Sequence, residues 1–111
     1  MPDPLQEVET VSQDARRNCA EMKQKAKLGA DLHKRLHDTY LARLDVIENV
    51  TGADVGSFED ILSRLGSLEG TSRRTEGAFY PSEYINGYEK ARLSLIDRFT
   101  KLRDGRSPIG S

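Results

Sequence analysis

A chain of 111 residues, 32% charged and 36% hydrophobic, makes at most one domain, and that balance suits a well-solvated helical protein with a modest core. Its 17 basic residues against 18 acidic ones leave a net charge of −1, which excludes a global field drawing in DNA, RNA or an acidic membrane. The single cysteine, Cys19, excludes an intrachain disulfide, and no run approaches the ~18 consecutive apolar residues of a membrane span.

Met1-Pro2-Asp3-Pro4 places an acid and two prolines where a signal peptide needs basic residues and then an apolar run. The expected location is therefore the cytoplasm or another reducing, aqueous interior. Residues 1–4 read as a lead-in, with Asp3 as N-cap and Pro4 at the first helical position. No proline interrupts Leu5 to Val50. Val8, Val11, Ala15, Cys19, Met22 and Ala26 follow one another at gaps of three or four, and His33, Leu36, Tyr40 and Ile47 continue the same face.

The stripe crosses Gly29 without losing phase, so the pattern favours one continuous helix over about 4–50, roughly 66 Å long at ~1.5 Å per residue. The alternative takes Gly29 as a C′ glycine and Asp31 as the start of a new helix, giving a hairpin of two ~20-residue helices. Large residues are scarce along the first half of the stripe, and Asn18 and Lys25 fall where a coiled coil wants leucine. Small residues there suit close packing among several helices.

Val50-Thr51-Gly52 ends the long segment, and Ser57 with Asp60 three residues later forms a variant capping box for a second helix. Phe58, Ile61, Leu62, Leu65 and Leu68 give it the densest apolar face in the chain. Residues 70–81 read as an exposed loop, with Gly70, Gly77 and the basic pair Arg73-Arg74. Ser82 is placed to cap a third helix running to about Arg103, on which Tyr84, Tyr88, Ala91, Leu95 and Leu102 keep near-heptad spacing and Ile85, Ile96 and Phe99 widen the face. Residues 105–111 read as a flexible tail.

The expected fold is all-α and a single domain over 1–111, with a long first helix and two further helices folding back as an antiparallel, coiled-coil-like hairpin or small bundle. On this reading the third helix covers only the C-terminal half of the first. Val8, Val11, Ala15, Cys19, Met22 and Ala26 are then left as the partner-binding residues.

Candidate chemistry is sparse. His33 and His37, four apart, could face one metal, but no glutamate stands in the metalloprotease position, Arg35 and Leu36 lie between the two, and no other histidine is available. No metal, cofactor or catalytic residue is assigned. Tyr80, Tyr84 and Tyr88 lie at i, i+4 and i+8 beside Arg73 and Arg74, an arrangement that could stack single-stranded nucleic acid. The lysines and arginines of the long segment alternate with acids in pairs such as Glu21 with Lys25, which describes a solvated helix face.

WXG-type secretion substrates share this length and helical content, but the chain has no tryptophan, so no family is assigned. The sequence therefore leads to a non-enzymatic protein–protein interaction subunit, an adaptor, scaffold or chaperone-like protein, assembling through its long helix with itself or with a larger complex. A small nucleic-acid-binding module using Arg73, Arg74, Tyr80 and Tyr84 is the alternative.

Overall fold

The computed structural model describes residues 3–51, 55–72 and 76–105. Four helices occupy them: α1 (Pro4–Ala26), α2 (Asp31–Val50), α3 (Phe58–Ser67) and α4 (Pro81–Arg103). The all-α reading is met, and the four helices pack into one bundle measuring 44 × 27 × 25 Å.

The expected continuous helix over 4–50 is not formed. Gly29 has φ +91°, a left-handed conformation that glycine adopts without the steric cost a Cβ would impose. The last turn tightens ahead of it, with the Leu28 N–H donating to the Lys25 carbonyl at 3.1 Å and the Gly29 N–H to the Ala26 carbonyl at 3.0 Å. Ala30 is then extended and α2 begins at Asp31. The chain turns back, and α1 packs along α2 as a hairpin.

Energetics explain why in-phase apolar residues do not imply a continuous rod. Burying Val8 and Val11 alone gains about 3–6 kcal/mol at ~1.5–3 kcal/mol each. Breaking the helix at one turn gives up a few hydrogen bonds worth a net ~1 kcal/mol apiece. A stripe in phase on both halves serves a hairpin as well as it serves a rod, because both halves then face the same seam. Val8, Val11, Ala15, Cys19 and Ala26 are all buried, and Ala42, Val46, Ile47 and Val50 of α2 are wholly so.

The helix ends follow local rules with two exceptions. The Asp3 carboxylate accepts from the Leu5 N–H at 3.0 Å, and Ser57 Oγ accepts from the Asp60 N–H at 3.2 Å, both as read from sequence. The Asp60 carboxylate reaches past Ser57 to accept from the Gly56 N–H at 3.0 Å. α4, however, begins at Pro81 with Tyr80 as its cap residue, so Ser82 lies inside the helix and caps nothing. Ala30 provides α2 with no side-chain cap.

α2 is the central element, packed against α1 on one side and α4 on another, while α3 closes the bundle against α4 and, less extensively, α2. Gly87 of α4 meets Thr39 of α2 so closely that an added Cβ would stand 3.1 Å from the Thr39 Cα. From α3, Ile61 and Leu65 are fully buried and Phe58 packs its ring 6.2 Å from that of Phe99. Leu62, which belongs to the apolar face read from sequence, is only half-buried, because the face of α3 that meets the bundle is centred on Ile61 and Leu65. Ile85, expected to widen the buried face of α4, is 45% exposed.

Candidate docking site at the hairpin end

Two acids seven residues apart on α2, Asp38 and Asp45, turn toward α4, although Asp38 belongs to the charge pattern read from sequence as a solvated face. The Asp45 carboxylate accepts the Tyr84 hydroxyl at 2.5 Å. The wholly buried Asp38 carboxylate accepts the backbone N–H of Tyr80. A buried carboxylate needs such donors, since an uncompensated charge in a dry interior costs several kcal/mol. The heptad spacing of the two acids is a signal in the sequence that could have placed them on one face.

Asp38 thereby fastens the segment before α4 onto the first half of α2. Tyr80 is held at two further points. Its ring lies under the Arg35 guanidinium, 5.1 Å from the ring centroid. Its hydroxyl faces Asp31, whose carboxylate holds the phenol above its ordinary pKa. Phe79, one residue earlier, turns outward and meets the His37 ring edge-on, with centroids 5.8 Å apart. His37 is therefore mostly covered, its side chain 13% exposed.

Between this fastened segment and the hairpin turn lies an open cavity of 420 Å³. Its apolar lining comes from Ala26 of α1, Leu41 of α2 and Gly77 and Phe79 of the segment. Its polar lining is Lys23, Lys27, Lys34 and His37. None of the three lysines has an ion-pair partner among the described residues, in contrast with nearby Lys25, which meets Glu21 at 3.0 Å. Lysines at the end of α1 are explained by the helix macrodipole, which favours cations there. Lys34 is not, since it stands at the start of α2, where the same dipole disfavours a cation by ~0.3–1 kcal/mol.

The turn beside this cavity carries the most exposed large apolar side chains of the described residues, Leu28 at 83% and Leu32 at 65%, with Phe79 at 55%. Leu28 follows Lys27 in the chain, while Leu32 projects from the side of α2 opposite the lining residues Lys34, His37 and Leu41, and neither leucine lines the cavity. Exposed leucines on a tight hairpin, three ammonium groups without an ion pair among the described residues and an aromatic ring thus stand at one end of the bundle.

A second cavity, of 270 Å³, opens between α1, α2 and α4 and is lined among others by Arg17, Arg43 and Arg98. Its charges are largely spoken for. Arg17 meets Asp14 at 2.6 Å, Arg98 lies 3.4 Å from Glu7, and Arg43 stacks over Tyr40.

The partner-binding residues expected from sequence stand elsewhere. Val8, Val11, Ala15, Cys19 and Ala26 are covered by the chain's own helices and Met22 is half-buried, so this face is no open surface. The folded-back α2 took the place of the partner. The tyrosine ladder is divided in the same way. Tyr84 and Tyr88 are 1% exposed, their rings 6.2 Å apart in the core, and neither can stack a base. Arg73 and Arg74, like the tail residues 106–111, lie outside the described residues. His33 and His37 share α2, and no group of three potential metal ligands occurs among the described residues.

No described helix is long and apolar enough to cross a membrane. Comparison with protein-family models, with curated proteins and with solved structures finds no match to this chain.

Proposed function

We propose that the chain is a non-enzymatic helical interaction module that docks a partner protein at the α1–α2 hairpin end, with Leu28, Leu32 and Phe79 as its apolar anchors. The observation that carries this reading is that those exposed side chains stand at the same end of the bundle as the open, lysine-rimmed cavity. Exposed apolar side chains beside polar groups are a feature of interaction sites, and a few buried anchors contribute most of the energy of such contacts. The adaptor or scaffold role expected from sequence is kept, while the surface assigned to it moves from the buried stripe to the hairpin tip.

The test compares partner capture from the native source by the wild-type chain, by a Leu28→Ser/Leu32→Ser variant and by a Leu93→Ser variant as control, since Leu93 is 53% exposed on α4. The hairpin variant is expected to lose the captured proteins and the control to keep them. Equal capture by all three would overturn the assignment.

A further inference from the structure

We infer that residues 77–80 form a strap over the first half of α2 that opens on a hinge at Gly77 while the four helices stay folded. Opening uncovers Asp38 and His37 and widens the 420 Å³ cavity, whose wall includes Gly77 and Phe79.

Three observations carry it. The first is how the strap is held. Gly77 and Phe79 are exposed and Ala78 and Tyr80 half-buried, so none of its residues is an anchor in the core. It is fastened to α2 by the Tyr80 N–H on the Asp38 carboxylate, by the Arg35 guanidinium over the Tyr80 ring and by the Phe79 ring edge-on to His37. Ala78 adds one small side chain against the core. Segments that bury little apolar surface open separately from the helices they lie on.

The second is what the closed strap covers. Asp38 is wholly buried, and its Oδ2 accepts the Tyr80 N–H, yet its Oδ1 has no hydrogen-bond partner among the described residues. The Nδ1 atom of His37, 3.4 Å from that oxygen, is buried without one as well. Unpaired buried polar atoms are costly, and opening gives both to water, which works against the contacts that keep the strap closed.

The third is the two ends. Gly77 has φ +84°, and glycine turns between backbone regions that other residues avoid. Pro81, the first residue of α4, fixes the backbone at the other end. Motion is thereby confined to the few residues between them.

The consequence is a change in the cavity's chemistry. Closed, its polar rim is Lys23, Lys27, Lys34 and His37; open, the Asp38 carboxylate joins it.

Amide hydrogen exchange of the full chain, read residue by residue by NMR over a series of low urea concentrations, tests the strap. The Tyr80 amide should be protected, but at least about 100-fold less than those of Val46, Ile47 and Tyr88 in the helix interiors. Its rate should hardly change with urea, since opening a few residues exposes little surface. In Asp38→Ala, with helicity checked by circular dichroism, the Tyr80 amide should lose its protection while those of Val46, Ile47 and Tyr88 keep theirs. Tyr80 exchanging with the protection and urea slope of the other three would overturn the strap, which would then open only with the whole chain. A Tyr80 amide unprotected in the wild type would overturn it too, because the closed strap would not be populated. Low protection at Ile85 and Tyr88 along with Tyr80 would replace it with fraying of α4. Protection kept in Asp38→Ala would remove the carboxylate as the latch and with it the proposal.

Discussion

The carboxylate of Asp38 accepts the backbone N–H of Tyr80, 42 residues further along the chain, and this one contact ties the entry of α4 to the middle of the hairpin. Hydrogen bonds to a charged group are worth about 1.5–3 kcal/mol. Asp38→Ala should therefore lower the free energy of unfolding by about 2 kcal/mol, read as a reduced urea midpoint at unchanged slope. Asp38→Asn keeps an acceptor oxygen and should cost less. Equal losses in the two would mean that the contact acts through packing and not through its acceptor.

Gly87 faces Thr39 with room for hydrogen only, an added Cβ standing 3.1 Å from Thr39 Cα and 3.3 Å from its Cγ2. Gly87→Ala gains up to ~1 kcal/mol of helix propensity and loses a comparable amount to overpacking, so its thermal midpoint should move little. Gly87→Val adds two more carbons against backbone that cannot retreat, and should destabilise by about 2–3 kcal/mol. A valine variant as stable as the wild type would show that α2 and α4 separate here at no cost.

The stripe of α1 is core, so charge placed on it should unfold the chain and not merely release a partner. Ala15 is 1% exposed at the wall of the 270 Å³ cavity, and Ala15→Glu forces a carboxylate into the seam between α1, α2 and α4 at a cost of several kcal/mol. Met22 is half-buried and Met22→Glu should cost clearly less. Circular dichroism across a thermal ramp gives the order directly. A fully helical Ala15→Glu protein with altered oligomeric state would restore the stripe to partner binding.

Acid should loosen the start of α3. The Gly56 N–H, with smaller contributions from Ser57, holds the Asp60 carboxyl below its ordinary pKa. A carboxyl whose folded pKa is depressed contributes stability that is complete above its unfolded pKa and is lost as pH falls through the folded one. The same sign holds for Glu89, lowered by its hydrogen bonds from Arg92. Stability should therefore fall as pH drops through and below the usual carboxylate range, and the decline should be shallower in Asp60→Ala and in Glu89→Gln. An identical pH profile in both variants would remove these two acids from the acid response.

Helix existence and helix ends were legible in the chain because they depend on neighbours a few residues away. Asp3 and Pro4 start α1, Ser57 and Asp60 start α3, and the spacing of Tyr84, Tyr88, Ala91 and Leu95 marks the buried face of α4. Gly29 could also be seen as a possible break, but its outcome depended on the area that α1 and α2 bury against each other, a sum over two whole helices. For the same reason Tyr84 and Tyr88 could be read as core or, in the alternative, as a stacking surface until α2 covered them. Asp38 looked solvated until Tyr80 arrived from about forty residues away. Periodicity and capping are set by hydrogen bonds and side-chain directions within a few turns, and these determined three amphipathic segments, the first of which the fold divides at Gly29. Which faces meet is decided by burial and by the need to satisfy every buried polar group, and only the folded chain brings Lys23, Lys34 and Phe79 around one cavity.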